Sequence, residues 1–465
     1  MKENGLLTGF LFGFAALSLG QALQNNGGFM SAEGMVLLTI ALIFLGLAVL
    51  SMKISLPPVA PRVLIFVLYI GLAWQLIQLL TSQPTLFIPD TFSKLWPFKA
   101  IVGLGAVTAL LSITPKVWSH RQLRRAAILM TFLSIFAAGV WVIRSSPDPH
   151  IDVYMFHETS SKALISGHNP YELTEPLFYS DATLYGPELV KDGRMTIGNP
   201  YPPLSIYLAL LGEVVGGDVR YSLLAAILLT AVIIASIGSN RYSLLAAYIF
   251  LFTPRLFFIL DLSWTEPFVL LFAVAVVWCA IYRPSWTFIV FGLLIASKQY
   301  MLLMVPLMIL LIPTTASLGF WIKACAQTLA VAFLVTAPLA FWNFQAFIWN
   351  VLSAQFYQPF RPEALSYAVI YNNVTGHILP FYMPFIFLGV ALLWVLRFIR
   401  RSPLGFSASL ALCLAVFFAT NKQAFGNYYF LVFGMLCCSL AITFVDILKE
   451  KPEALGAQLI PGPAN

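Results

Sequence analysis

Charge is what this chain has least of. Only 10% of its 465 residues are Asp, Glu, Lys or Arg, while 60% are hydrophobic and 15% aromatic. Soluble domains carry roughly 25% charged residues, so a water-soluble globular enzyme is excluded and a polytopic membrane protein is indicated. Cysteine is sparse as well. Cys279, Cys325, Cys413, Cys437 and Cys438 all fall in apolar segments and read as packing residues. None lies in the one long polar stretch, so no disulfide braces it. The net charge of +7 does not gather into a basic patch, which removes nucleic acid as a partner and assigns the cations to loop ends. No internal repeat, low-complexity tract or nucleotide-binding glycine loop is present.

What the chain does have is apolar runs. A helix crossing a hydrocarbon core needs ~20 mostly apolar residues. Candidate spans cover 5–23, 35–52, 62–80, 97–113 and 125–143. After a polar interruption they resume at 221–238, 243–260, 265–282, 286–297, 299–312, 322–342, 381–397, 404–420 and 428–447. The opening MKENGLLTGFLFGFAALSLG is signal-like, but with further spans behind it the better reading is a first membrane helix. The fold class is an all-α polytopic membrane protein with about 14 transmembrane helices.

Orientation follows from the basic residues of short loops. Lys2, Lys53, Arg62, Lys116, Arg121, Arg124 and Arg125 share a side with Arg397, Arg400, Arg401, Lys449 and Lys451. The chain is thus expected as a multi-pass cell-membrane protein with both termini cytoplasmic. The 145–202 loop, with eight acidic and three basic residues, then lies outside. The short run Pro203–Val215 would rise only about 20 Å as a helix, against a core of ~30 Å. A re-entrant or interfacial course is preferred. If it crosses instead, 286–312 must be a single span. The expected divisions are an accessory helical bundle over 1–144, an outer loop of short surface helices over 145–202, a main bundle over 203–450 with a second outer loop at 344–380, and a cytoplasmic tail over 451–465.

The outer loop reads PDPHIDVYMFHETSSKALISGHNPYELTEP from Pro147, and GNPYPPLSIYL from Gly198. A helix from Ile151 to Ser166 would place Asp152, Phe156 and Thr159 on one face, with Gly167 as its stop. Asp152 has two readings. It caps this helix, or it accepts the proton of an attacking hydroxyl, a contribution of roughly 10²–10⁴ in rate. His150, His157, Glu158 and His168 surround it without a zinc spacing such as HExxH, so solvated histidines are the plainer account and a divalent metal is not favoured. Asn199 to Pro203 is a stiff, proline-fixed entry to the next helix, and equally a position from which Asn199 and Tyr201 could line a cleft. Outward cations are few: Arg255, Lys298, Arg361 and Lys422. Each is a snorkelling anchor, or all belong to one anion site. Glu266 sits at a helix start, where capping by Thr265 is the bland alternative.

These residues resemble the GT-C superfamily of polytopic glycosyltransferases, and within it glycosyltransferase family 87, the alpha-mannosyltransferase-like group. The resemblance rests on an ordered set across roughly 140–450: Asp152-Val-Tyr154, Gly167-His-Asn-Pro-Tyr171, Tyr201-Pro-Pro203, Trp264-Thr-Glu-Pro267, Ser297-Lys-Gln-Tyr300, Asn421-Lys-Gln, and Asn427-Tyr-Tyr429. It implies a GT-C-like bundle, a catalytic aspartate at Asp152, and inverting transfer from a polyprenyl-phosphate sugar to a lipid-linked or glycan acceptor. Asp152 follows five spans, where the superfamily usually has one. The donor phosphate is expected at Lys298, Lys422, Arg255 and Arg361. The substrate cleft is expected at Tyr154, His157, Asn169, Tyr171, Asn199, Tyr201, Glu266, Gln299, Tyr300, Asn427 and Tyr428. No cofactor is expected, and the absence of a nucleotide loop fits a lipid donor. A lipid or polysaccharide transporter or flippase, and a surface-polysaccharide ligase or polymerase, are the competing classes.

Overall fold

The computed structural model describes residues 4–54, 61–88, 92–179 and 184–450. Lys2, Lys451 and the 451–465 tail lie outside these residues, as do the side chains of Arg62 and Lys449.

The apolar runs fold as helices because a buried or lipid-facing backbone must satisfy its own hydrogen bonds. Among the described residues, eight helices are long and apolar enough to cross a membrane: five lie before the polar loop, and Arg220–Gly238, Leu318–Trp342 and the Gly426–Val445 stretch follow it. The chain is an all-α multi-pass membrane protein. Its one described sheet is a two-stranded hairpin, Val190–Lys191 against Arg194–Met195, turned by Asp192 and Gly193, both at positive φ, the geometry that an Asp-Gly pair favours.

Several expected spans are not single long helices. The 243–260 run divides into Arg241–Leu251 and Leu256–Asp261, because Pro254 supplies no amide to carry the helix through. The helix Thr287–Ser297 stops at Lys298, which is extended at φ −157° and ψ 144°. The chain then continues as a 3₁₀-helix, Gln299–Leu311, with Pro306 inside it. Glu266, at the start of Glu266–Tyr282, pairs with Lys298. At the other end of the 3₁₀-helix, Arg401 donates to the carbonyls of Ile312 and Pro313.

The helix Pro203–Gly216 begins against His157, whose Nε2 meets Ser205 Oγ at 3.0 Å. Just past its other end, Arg220 donates to Ser146 O at 2.6 Å. Both ends therefore lie against the one segment that brackets Asp152.

The N-terminal helices are not set apart from the rest. One continuous apolar core includes Leu11, Phe12, Leu64, Phe98 and Ile135 together with Tyr248, Phe250, Phe406 and Phe433. Asn4–Gln24 packs along Gly426–Glu450, with Gly9, Gly13 and Gly20 on the contact, where a Cβ would meet Leu440, Thr443 or Phe433 within 4 Å. At the end of this seam Gly28, at φ +77°, leaves room for Gly426, whose Cα would lie 2.9 Å from an added Cβ.

Candidate active site

Asp152 opens the helix Asp152–Ile165 and is not its cap: that position is Ile151, with no side-chain cap hydrogen bond. Gly167 ends the helix at φ +73°. Asp152 Oδ1 accepts from the Val153 amide at 2.8 Å, and the Tyr179 hydroxyl lies against the same residue. The carboxylate keeps some accessible surface because it faces a cavity, but the surrounding chain encloses it. Burial pushes its pKa above the ordinary carboxylate value, and the Val153 amide, the Arg361 charge and Tyr179 only partly offset this.

The cavity is about 670 Å³. Its polar wall is made by Asp152, Lys298, Arg361, Lys422, Gln423 and Asn427, and its aromatic wall by Tyr179, Tyr185, Tyr201, Tyr300, Phe418 and Tyr428. On one side the wall continues through Leu302, Phe381 and Phe385, side chains that are also exposed on the outside of the bundle. Phe29, Leu86 and Phe87 complete it from the N-terminal helices.

Three of the four cations expected to face outward line this cavity, in different electrical states. Lys298 is buried, with Nζ 2.9 Å from Glu266 and 2.6 Å from Thr265 Oγ1, and it sits over the Tyr201 ring at 4.4 Å. Glu266 also accepts from Asn427 Nδ2 at 2.8 Å, so the lysine charge is already compensated. Thr265 holds the N-cap position without a side-chain cap hydrogen bond, its hydroxyl accepting from the lysine instead. Arg361 pairs with Glu363. Lys422 donates to the carbonyls of Phe356 and Gln358, and among the described residues no carboxylate pairs with it. Burial lowers its pKa. Arg255 is not on this wall. It donates to Gln24 O at 3.1 Å and stacks on Phe258.

Of the expected cleft residues, Tyr201, Gln299, Tyr300, Asn427 and Tyr428 line the cavity, whereas Tyr154, His157, Asn169, Tyr171, Asn199 and Glu266 stand behind its wall. Their work is structural. Tyr171 donates to Tyr201 O at 2.8 Å. Asn199 Nδ2 donates to Phe156 O and Ser160 Oγ, and its Oδ1 accepts from the Tyr201 amide. Asn169 Oδ1 accepts from the Tyr171 amide. Burial drops the His157 pKa to about 4, so the ring is neutral. Its Nδ1–H donates to Val153 O, leaving Nε2 to accept from Ser205, while its face packs on Tyr201 at 4.8 Å. These residues hold Tyr201 and the Asp152 helix in place.

Two features left no signal that sequence reasoning used. Asn350, on a π-helical turn, accepts from the amides of Gly198 and Asn199 and donates to Tyr171 O, tying the two proline motifs together. Tyr179 reaches Asp152 from the far end of the loop. Among the described residues no three His, Cys, Asp or Glu side chains gather as a metal site requires; His150 instead stacks on Phe178. No family model matches the chain, and neither a curated protein nor a solved structure matches it.

Proposed function

We propose that this protein is an inverting membrane glycosyltransferase that moves a sugar from a polyprenyl-phosphate donor to a lipid-linked or glycan acceptor at the outer face of the membrane. The observation that carries this reading is the sharing of one cavity by a buried carboxylate, a lysine that no described carboxylate pairs with, and an apolar lip. Asp152 takes the proton of the acceptor hydroxyl as its oxygen bonds to the anomeric carbon. The bond from that carbon to the phosphate oxygen breaks, and polyprenyl phosphate leaves as a stable anion, so no general acid is required. Fixed cations oppose the growing negative charge. Lys422 suits that task best, since Glu266 already balances Lys298 and Glu363 balances Arg361. The polyprenyl chain would lie along Leu302, Phe381 and Phe385, where the cavity wall meets the outer surface of the bundle.

One observation favours the transporter class. Two short helices meeting at a charged residue, as Thr287–Ser297 and Gln299–Leu311 do at Lys298, are a form that transporters use near the membrane midplane. The classes separate in one assay. Membranes containing the protein are given a panel of radiolabelled polyprenyl-phosphate sugars. Label passing to an acceptor, and its loss in Asp152→Asn, supports the enzyme. Movement of intact donor between leaflets with no transfer supports the transporter.

A further inference from the structure

A second charge cluster lies behind the cavity, outside every residue assigned above. Arg220 is fully buried, as is Asp261, and Asp218 is nearly so. Arg220 Nε donates to Asp218 Oδ1 at 3.0 Å and Nη2 to Oδ2 at 2.6 Å. Nη2 also donates to the carbonyls of Ser146 at 2.6 Å and Ile143 at 3.2 Å, the end of the helix that leads to Asp152. The guanidinium lies 5.1 Å from the centre of the Tyr154 ring, two residues beyond Asp152. Its Nη1 is 3.8 Å from Asp261 Oδ1. The other Asp261 oxygen accepts from the amides of Leu86 at 2.9 Å and Phe87 at 3.1 Å.

A charged group buried this deeply is costly unless paired, and an arginine does not shed its charge, so the cluster needs a reason. The guanidinium fills the place a cation would take between the two carboxylates, which leaves no metal or sodium site. Apart from the Asp218 pair, the cluster's contacts reach chain segments that carry cavity-lining residues. Ser146 and Tyr154 flank Asp152 in sequence, and Leu86 and Phe87, whose amides donate to Asp261, line the same cavity.

We propose that the Asp218–Arg220–Asp261 cluster is the positioning device for Asp152, fixing the start of its helix against the wall supplied by Leu86 and Phe87. Arg220 is a positioning residue here and touches no substrate. The planar fork is required because one side chain must hold a carboxylate and two carbonyls while its face meets a ring, which an ammonium group cannot do. The inference rests on the reading of Asp152 as the base, but its first test does not.

Hydrogen exchange, resolved by peptide, is followed on the full-length protein in nanodiscs for Arg220→Lys, Asp261→Asn, Tyr154→Leu and Tyr154→Phe. The amides of Val153 to Phe156 are expected to exchange at least tenfold faster in the first three variants and to be unchanged in Tyr154→Phe, which keeps the ring. The amides of Gly426–Glu450 should be unaffected in all four. Unaltered exchange at Val153–Phe156 in the variants that fold overturns the proposal, as does a rise spread evenly over the molecule. If Arg220→Lys does not fold, Tyr154→Leu against Tyr154→Phe decides. The second readout is transfer. The local variants should lose kcat tenfold or more with the donor KM within twofold of wild type, and unchanged kcat with loosened amides overturns the positioning role. Loosened amides in a protein that transfers no sugar at all would sink the glycosyltransferase reading and leave the positioning of Asp152 standing.

Discussion

Asp152 pays for its position. A base must be deprotonated to work, and burial resists deprotonation, holding its pKa above the ordinary carboxylate value. Transfer should therefore fall on acidification at a higher pH than an unperturbed carboxylate would give, and the acid limb of kcat against pH measures this. Stability has the opposite sign. With the folded pKa above the unfolded one, the folded state binds the proton more tightly. The penalty is full above the raised pKa and is relieved as pH falls toward the unfolded value. Asp152→Asn keeps an acceptor for the Val153 amide and removes the charge. It should abolish transfer while raising the melting temperature at neutral pH, and the gain should vanish in acid. A residual activity above about a tenth of wild type, against a base contribution of roughly 10²–10⁴, would remove Asp152 from the mechanism. Lys422→Gln should weaken donor binding on the order of tenfold, the loss of one hydrogen bond to a charged group, ~1.5 kcal/mol. Apparent donor KM is the readout.

The elements were legible in the sequence wherever one local signal decided them. The expected helix 151–166 appears as Asp152–Ile165, because its apolar spacing and the Gly167 stop are both local. Composition was enough to establish an all-α membrane protein. The Val190–Met195 hairpin went unread although Asp192-Gly193 is a recognisable turn pair, since the surrounding loop was read as helical. The junction at Lys298 was visible as a polar break between two apolar runs, but its ion pair was not. Glu266 opens one helix and Lys298 joins two others, and nothing in either neighbourhood names the other. The same holds for Asn350 and Arg220, whose partners are distant in sequence. The Lys298–Glu266 pair carries its own test. Lys298→Ala leaves a buried carboxylate without its counter-charge, a loss of about 3–5 kcal/mol. Replacing both partners, Lys298→Met with Glu266→Gln, should cost less than the single change. Thermal unfolding in detergent ranks the two, and a double variant weaker than the single would mean the pair itself is not what stabilises the junction.

At the scale of the whole molecule, the first helices do more than accompany the rest. Phe29 meets Phe425 edge to face at 5.8 Å between ring centres and lines the cavity with Leu86 and Phe87. Gly28 makes this approach possible twice over, by its positive φ and by its lack of a Cβ facing Gly426. Gly28→Ala should lower the melting temperature and shift the Phe29 wall. Because both effects act at one point, the loss should exceed the roughly 0.5–1 kcal/mol that the difference between Gly and Ala ordinarily represents. A variant as stable as wild type would show that the seam is looser than the geometry requires.

That seam also fixes when the cavity can form during synthesis. Asn4–Gln24 leaves the ribosome long before Gly426–Glu450, yet each is a wall against which the other packs. Until Gly426–Glu450 has inserted, Gly20 lacks the Phe433 ring beside it, and Phe29 has no Phe425 to meet. A nascent chain therefore carries Asp152 long before it carries a cavity, and a chain truncated before Gly426 exposes its seam to chaperones and proteases of the membrane. The closed cavity should arrive in one step, with insertion of Gly426–Glu450.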